Sequence, residues 1–261
     1  NITVTGDTRF DRVIEIAEQF EPIPLIEKFC GDHKILVAGS TWEDDEAELI
    51  HYARANPRLK FIIAPHEIDK ENLKDVKKEF GNAIFYSELL MASGQEEAGG
   101  MERGNQQRTT TNEHPTTNND QRPTTNEQPT TTNEPPIAPN VLIIDNVGML
   151  SRLYHYAYIT YVGGGFGADG VHNVLEAAVY GKPVIYGPVF EKYPEAIGLL
   201  DCGGGITIQN ALELESILKE LWEDENLLTH RGEAAKNYVY SNAGASNKIV
   251  RFIQEKRLLT N

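Results

Sequence analysis

The sequence predicts an α/β fold in which a parallel β-sheet is covered by helices on both faces. Three observations carry that expectation. Short apolar runs recur at Lys34–Ala38, Lys60–Ala64, Ala83–Tyr86, Val141–Ile144, Ala157–Val162 and Gly205–Ile208. They are predominantly apolar, broken only by a leading lysine at Lys34 and Lys60 and by Thr160 and Thr207, so both faces of the strands are expected to be buried. Helically spaced segments separate most of them, which gives the βαβα order of a parallel sheet. The third observation is a strand–loop–helix–strand unit running from Ala157 to Pro188, with the glycine-rich turn Gly163-Gly164-Gly165-Phe166-Gly167 at its centre.

Taken in order, Ile2–Thr5 reads as a short strand, Phe10–Phe20 as a helix, and the residues after Glu21–Pro24 as a shorter helix toward Cys30. Glu43–Ala55 is predicted as a helix capped by Ser40 or Thr41, and Lys70–Phe80 as another. Val147–Tyr156 reads as a helix before the strand at Ile159. After the glycine-rich unit come Pro194–Leu200, Leu212–Trp222, Asn226–Tyr240 and a last helix over about Asn247–Lys256. Residues 1–30 are read as an entry segment, and 31–261 as one domain. In sheets of this kind ligands sit beyond the carboxyl ends of the strands. The loops Gly39–Glu43, Pro65–Glu67, Asp145–Gly148 and Gly163–His172 should therefore share one rim.

The chain of 261 residues is long enough for a substantial core. Its formal net charge of −15 argues against nucleic acid as a partner and against direct adsorption to anionic lipid. Two distant cysteines, Cys30 and Cys202, with no Cys/His cluster, point to reduced thiols and no metal site. The remaining histidines, such as His33, His51 and His230, show no ligand spacing. No run approaches the roughly 20 apolar residues of a membrane span. The chain opens at Asn1 rather than at a methionine, which suggests an excised part of a longer protein. From about 91 to 139 the composition changes to repeats such as Thr124-Thr125-Asn126-Glu127-Gln128-Pro129. So few apolar residues cannot offset the entropy of ordering, and this stretch is read as a disordered insert.

The chemistry is expected at the glycine-rich unit. Its glycines would let a ligand approach the backbone, and a helix opening at His172-Asn173 would offer free N–H groups to an anion. Glu176, one turn further on, could accept hydrogen bonds from sugar hydroxyls. The competing reading is a tight βα turn with a purely structural helix start. Asp44-Asp45-Glu46, on the first turn of a predicted helix, are read as charges that complement the helix dipole rather than as a metal cluster. Lys192 is a weaker candidate for an anion contact.

Several stretches, in order, resemble the C-terminal half of the Kdo transferases, GT-B glycosyltransferases that attach 3-deoxy-D-manno-octulosonic acid to lipid A precursor. Val4-Thr5-Gly6-Asp7-Thr8-Arg9-Phe10-Asp11 is similar to a VTGNxKFD entry, and Ser40-Thr41-Trp42-Glu43-Asp44-Asp45-Glu46 to STHxGEE. Asp145-Asn146-Val147-Gly148-Met149-Leu150 is similar to DTMGEL, and Gly170-Val171-His172-Asn173-Val174-Leu175-Glu176-Ala177-Ala178 to GGHNxLEPA. The resemblance implies a Rossmann-like domain that binds CMP-Kdo, with Ser40, Thr41, Pro65, His66, Asn146, Gly148, Gly164, Gly165, His172, Asn173 and Glu176 as donor-binding residues. Glu176 would hold the ribose, and His172 and Asn173 would lie at the phosphate or the Kdo carboxylate. The resemblance further implies an inverting transfer in lipopolysaccharide synthesis at the cytoplasmic face of the bacterial inner membrane. The catalytic base, the lipid A precursor acceptor and the membrane contact would belong to an N-terminal half, and no cofactor or metal is implied. Three positions depart from the pattern. An arginine expected after Pro65 is absent, Met149 replaces an acid, and Trp42 replaces a histidine. Two alternatives stay open: a UDP-sugar transferase or epimerase domain, and a non-catalytic nucleotide-binding module.

Overall fold

A computed structural model describes residues 4–102, 138–256 and 258, with 95–102 described by backbone alone. Seven strands form one sheet, paired in parallel throughout, in the order β3-β4-β2-β1-β5-β6-β7. They are β1 (Ile35–Thr41), β2 (Lys60–Pro65), β3 (Ala83–Phe85), β4 (Val141–Ile143), β5 (Ile159–Val162), β6 (Val184–Tyr186) and β7 (Gly205–Thr207). Successive residues of each strand feed opposite cores. Leu36, Ala38, Phe61, Ile63 and Tyr161 face one side with α3 (Glu43–Ala55), α4 (Lys70–Phe80) and α9 (Ala211–Glu223). Val37, Ile62, Leu142, Val162 and Tyr186 face the other, against α1 (Thr8–Glu18), α2 (Pro24–Cys30), α6 (Leu150–Leu153), α7 (Leu175–Ala178), α8 (Pro194–Asp201) and α10 (Glu225–Ser241). This is the two-sided burial that continuous apolar strands require.

Local chemistry explains the sharpest boundaries. Asp69 caps α4 by accepting from the N–H groups of Glu71 and Asn72, and Gly81, at φ +79°, ends it. Elsewhere the structure corrects the sequence. Thr41 is the last residue of β1, and Trp42 rather than Ser40 or Thr41 occupies the cap position of α3. The helix expected over Val147–Tyr156 shrinks to α6 and a 3₁₀ turn at Tyr154–Tyr156. Of the strand expected at Ile2–Thr5, the part that is described, from Val4, is not a strand. Helix α5 (Tyr86–Glu102) runs past Met91, so the first dozen residues of the expected insert are helical. Its Thr/Asn/Pro repeats lie outside the described residues.

The residues before 31 are packed into the same core, through Phe10, Val13, Ile26 and Phe29. The Asp11 carboxylate accepts from the N–H groups of Gly244 and Ser246, joining α1 to α11 (Ala245–Glu255). Arg9 forms a bidentate pair with Glu195, at 2.5 and 3.0 Å, and Glu195 is only 4% exposed. Removing Arg9 would leave that carboxylate buried and unpaired. Arg9→Ala should cost about 2 kcal/mol, less than the 3–5 of a fully buried pair because Arg9 is half exposed. Urea unfolding of the variant measures it.

Candidate functional site

The chain leaves β1 toward β2 on one side and returns to β5 on the other, so the strand order reverses between β1 and β5. The carboxyl ends of these two strands flank the crevice where ligands of open α/β sheets bind. Trp42, His66 and His172 meet there. The Trp42 indole N–H donates to His172 Nε2 at 2.9 Å, and the two ring planes are 11° from parallel with centroids 6.4 Å apart. The His66 ring covers both, with its centroid 4.4 Å from Trp42 and 4.6 Å from His172. Burial pushes the His172 pKa below the usual imidazole range; His66 acts in the same sense and Asp169 opposes it.

The glycine-rich turn works differently from the sequence expectation. A Cβ at Gly163 would lie 2.2 Å from the Ser40 carbonyl oxygen, and one at Gly165 would lie 2.5 Å from the Gly187 nitrogen. Gly164 is at φ +88°, and its N–H donates to Asp45 Oδ2 at 2.7 Å. These glycines let the protein approach itself, and the Gly164 and Gly165 backbones are buried. Gly164 therefore has no free N–H to offer a phosphate. Thr41 is likewise withdrawn, because its buried hydroxyl donates to Glu46 at 2.8 Å. Ser40 stays at the rim in a left-handed conformation, φ +54°. Pro65 is buried at the end of β2 and presents His66.

The helix expected to open at His172 is also corrected. The backbone N–H groups of Val171 and His172 are bonded to the Val189 and Gly163 carbonyls and are not free for an anion, and α7 spans only four residues. Asn173 donates to Glu176 Oε1 at 3.0 Å and accepts from the Leu175 N–H. Glu176 lies with Ser151 and Tyr180 on a narrow crevice between α1, α6 and α7, and burial raises its pKa. Among the described residues its second carboxylate oxygen has no hydrogen-bond partner. Asn146 and Gly148 are exposed in the loop after β4, with Gly148 at φ +89°. Lys192 is bonded to the Ala168 carbonyl at 2.9 Å and braces the glycine-rich loop.

Asp45 went unrecognised as part of this site. It is fully buried, and its carboxylate accepts from Trp42 N–H, Tyr161 O–H and Gly164 N–H, tying α3, β5 and the glycine-rich turn together. Burial pushes its pKa up despite these three bonds. Its position three residues after the cap was the available signal, because a first-turn acid there can reach back to the cap N–H.

The all-parallel sheet, its strand order and the cleft between β1 and β5 define a GT-B-type C-terminal domain. No family model matches the chain. It is 40% identical over 83 residues to a 3-deoxy-D-manno-octulosonic acid transferase of Aquifex aeolicus, a match covering 31% of this chain and 24% of that protein. The solved C-terminal CMP-Kdo binding domain of WaaA from Acinetobacter baumannii superposes with a TM-score of 0.55 at 15% identity, over 88% of this chain and 97% of that one. A UDP-GlcNAc 2-epimerase from Neisseria meningitidis reaches 0.54 at 16% identity, over 97% and 54%. The fold alone thus does not separate the two kinds of protein, and the stretch of sequence identity lies with the Kdo transferases. Over those 83 residues the chain is similar to a Kdo transferase, and it spans about a quarter of the length of that curated relative. Among the described residues no helix is long and apolar enough to cross a membrane.

Proposed function

We propose that this domain binds CMP-Kdo for an inverting transfer of Kdo to a lipid A precursor in lipopolysaccharide synthesis. The observation that carries the reading is the stacking of His66 on His172 at the carboxyl rim where β1 and β5 diverge, with the bonded pair Asn173 and Glu176 following directly along the chain. In this reading the free oxygen of the Glu176 carboxylate accepts from a ribose hydroxyl, and Asn173 holds the carboxylate in place. His172 offers an N–H to the donor's anionic groups. The acceptor hydroxyl is deprotonated by a base outside this domain and attacks the anomeric carbon. CMP then leaves with its phosphate held at the rim. The reading needs no cofactor, and it leaves acceptor and inner-membrane contact to the rest of a longer protein.

Titration of the chain with CMP, UMP and UDP in parallel tests this, with Glu176→Gln as the matched variant. CMP should bind selectively, and the variant should lose about tenfold in affinity, some 1.4 kcal/mol, with its thermal midpoint unchanged. A second reading is a UDP-sugar domain, favoured by His66 standing where an arginine is expected. A preference for UDP would replace the first reading with this one.

A further inference from the structure

Trp42 stands where the resemblance expects a histidine, and it engages His172 directly. An indole N–H can only donate, so at 2.9 Å the His172 Nε2 must be the acceptor and carries no proton. The ring planes are near-parallel, 11° apart, and the 2.9 Å separation is within the range of an N–H···N bond. Both partners are anchored. The His172 backbone N–H is bonded to the Gly163 carbonyl at 3.0 Å, and the Trp42 backbone N–H to the Asp45 carboxylate. His66, whose N–H is bonded to the Thr41 carbonyl at 2.8 Å, closes over the pair.

We propose that Trp42 is a positioning residue that fixes His172 as the neutral tautomer with its proton on Nδ1. The donor's anion then meets a neutral N–H at this point and not an imidazolium. This rests on reading the rim as a nucleotide-sugar site. Which ring nitrogen of a histidine carries the proton is set by the bond the other one makes, and here the other bond comes from an obligate donor. The charged and titratable groups around the ring are few. His66 stacks on it, Asp169 lies on its own loop, Asp45 holds Gly164 behind it, and Lys192 is tied to Ala168. Protonating His172 would set two N–H groups against each other and break the Trp42 bond. Contact with the anion at this point should then vary little with pH from 8 to 7.

Two-bond ¹H–¹⁵N correlation spectra of the labelled chain test the tautomer without any ligand, with His172→Gln assigning the signals. Nε2 should be unprotonated and Nδ1 protonated at neutral pH, with a titration midpoint below about 6.5. In Trp42→Phe the proton should redistribute toward Nε2, and the midpoint should rise. CMP affinity of that variant should then strengthen on acidification from pH 8 to 6, more steeply than that of the parent chain. A protonated Nε2 in the parent chain overturns the proposal whatever the variant does, so a misfolded variant cannot shield it. The expected tautomer together with no CMP binding overturns the nucleotide-sugar reading, and with it the donor role of His172, while leaving the Trp42–His172 bond intact. CMP binding with the wrong tautomer does the reverse.

Discussion

Gly163→Ala should destabilise the chain by about 3 kcal/mol or more, at the upper end of what overpacking costs in a closed interior. The added Cβ would stand 2.2 Å from the Ser40 carbonyl oxygen and 2.7 Å from the Thr41 Cα, all backbone atoms with no rotamer to turn away. Relief would require β5 to separate from β1, breaking the Gly163 N–H bond to the Gly39 carbonyl at 2.9 Å. For a chain of this size each kcal/mol lowers the thermal midpoint by about 2–4 °C, so a drop of roughly 6–12 °C is expected. Gly148→Ala is the control. Gly148 is also glycine at the rim, at φ +89°, but nothing lies within 4 Å of a Cβ there. It should lose only the cost of a left-handed alanine, about 1–2 kcal/mol. Gly163 itself lies outside the left-handed region, so equal losses in the two variants would mean that the close crossing of the strands costs less than the 2.2 Å approach implies.

That contrast shows what the sequence could and could not reveal. The helices Glu43–Ala55 and Lys70–Phe80 were readable to the residue, because apolar spacing, a capping aspartate at Asp69 and a terminating Gly81 are local signals. The rim was readable too, since strands on continuous apolar runs must be parallel and must present their loops at one end. The use of the glycines was not. A glycine beside a ligand and a glycine beside another strand make the same demand on the sequence, and only the crossing of β1 and β5 decides between them. The expectation of free N–H groups at His172 failed for a related reason. Those of Val171 and His172 are bonded to the Val189 and Gly163 carbonyls, partners that only the folded chain brings near. Trp42 looked like a departure that weakened the site, and in the structure it makes the rim's direct contact with His172.

Asp45 gives the second large effect, and the two substitutions at this position should behave in opposite ways. Oδ2 accepts from both backbone N–H groups, Trp42 at 3.0 Å and Gly164 at 2.7 Å, while Oδ1 accepts from the Tyr161 hydroxyl at 2.8 Å. In Asp45→Asn the amide oxygen can take the place of Oδ2 and keep both backbone donors. The amide N–H₂ then faces Tyr161, whose hydroxyl can turn to accept. Asp45→Ala removes both acceptor oxygens and leaves three donors in a site closed to water. At about 1–3 kcal/mol for each orphaned group, offset by no longer burying a charge, the loss should be about 3 kcal/mol. The pH dependence separates the cases further. Burial raises the folded-state pKa of Asp45 above its unfolded value, so its contribution to stability is fully present below the unfolded pKa and fades as pH rises through the folded one. Asp45→Asn has no such group. Relative to the parent chain it should therefore gain stability between acidic and neutral pH, in urea unfolding followed across that range. The same pair of variants also reports on the site. Asn at this position should preserve CMP affinity, because Gly164 and the Trp42 turn stay where they hold His172, whereas Ala should weaken it along with the fold. A parent chain whose stability relative to Asp45→Asn does not change with pH would show that Asp45 is not a carboxylate held ionised at a cost, and that its part in the crossing is steric.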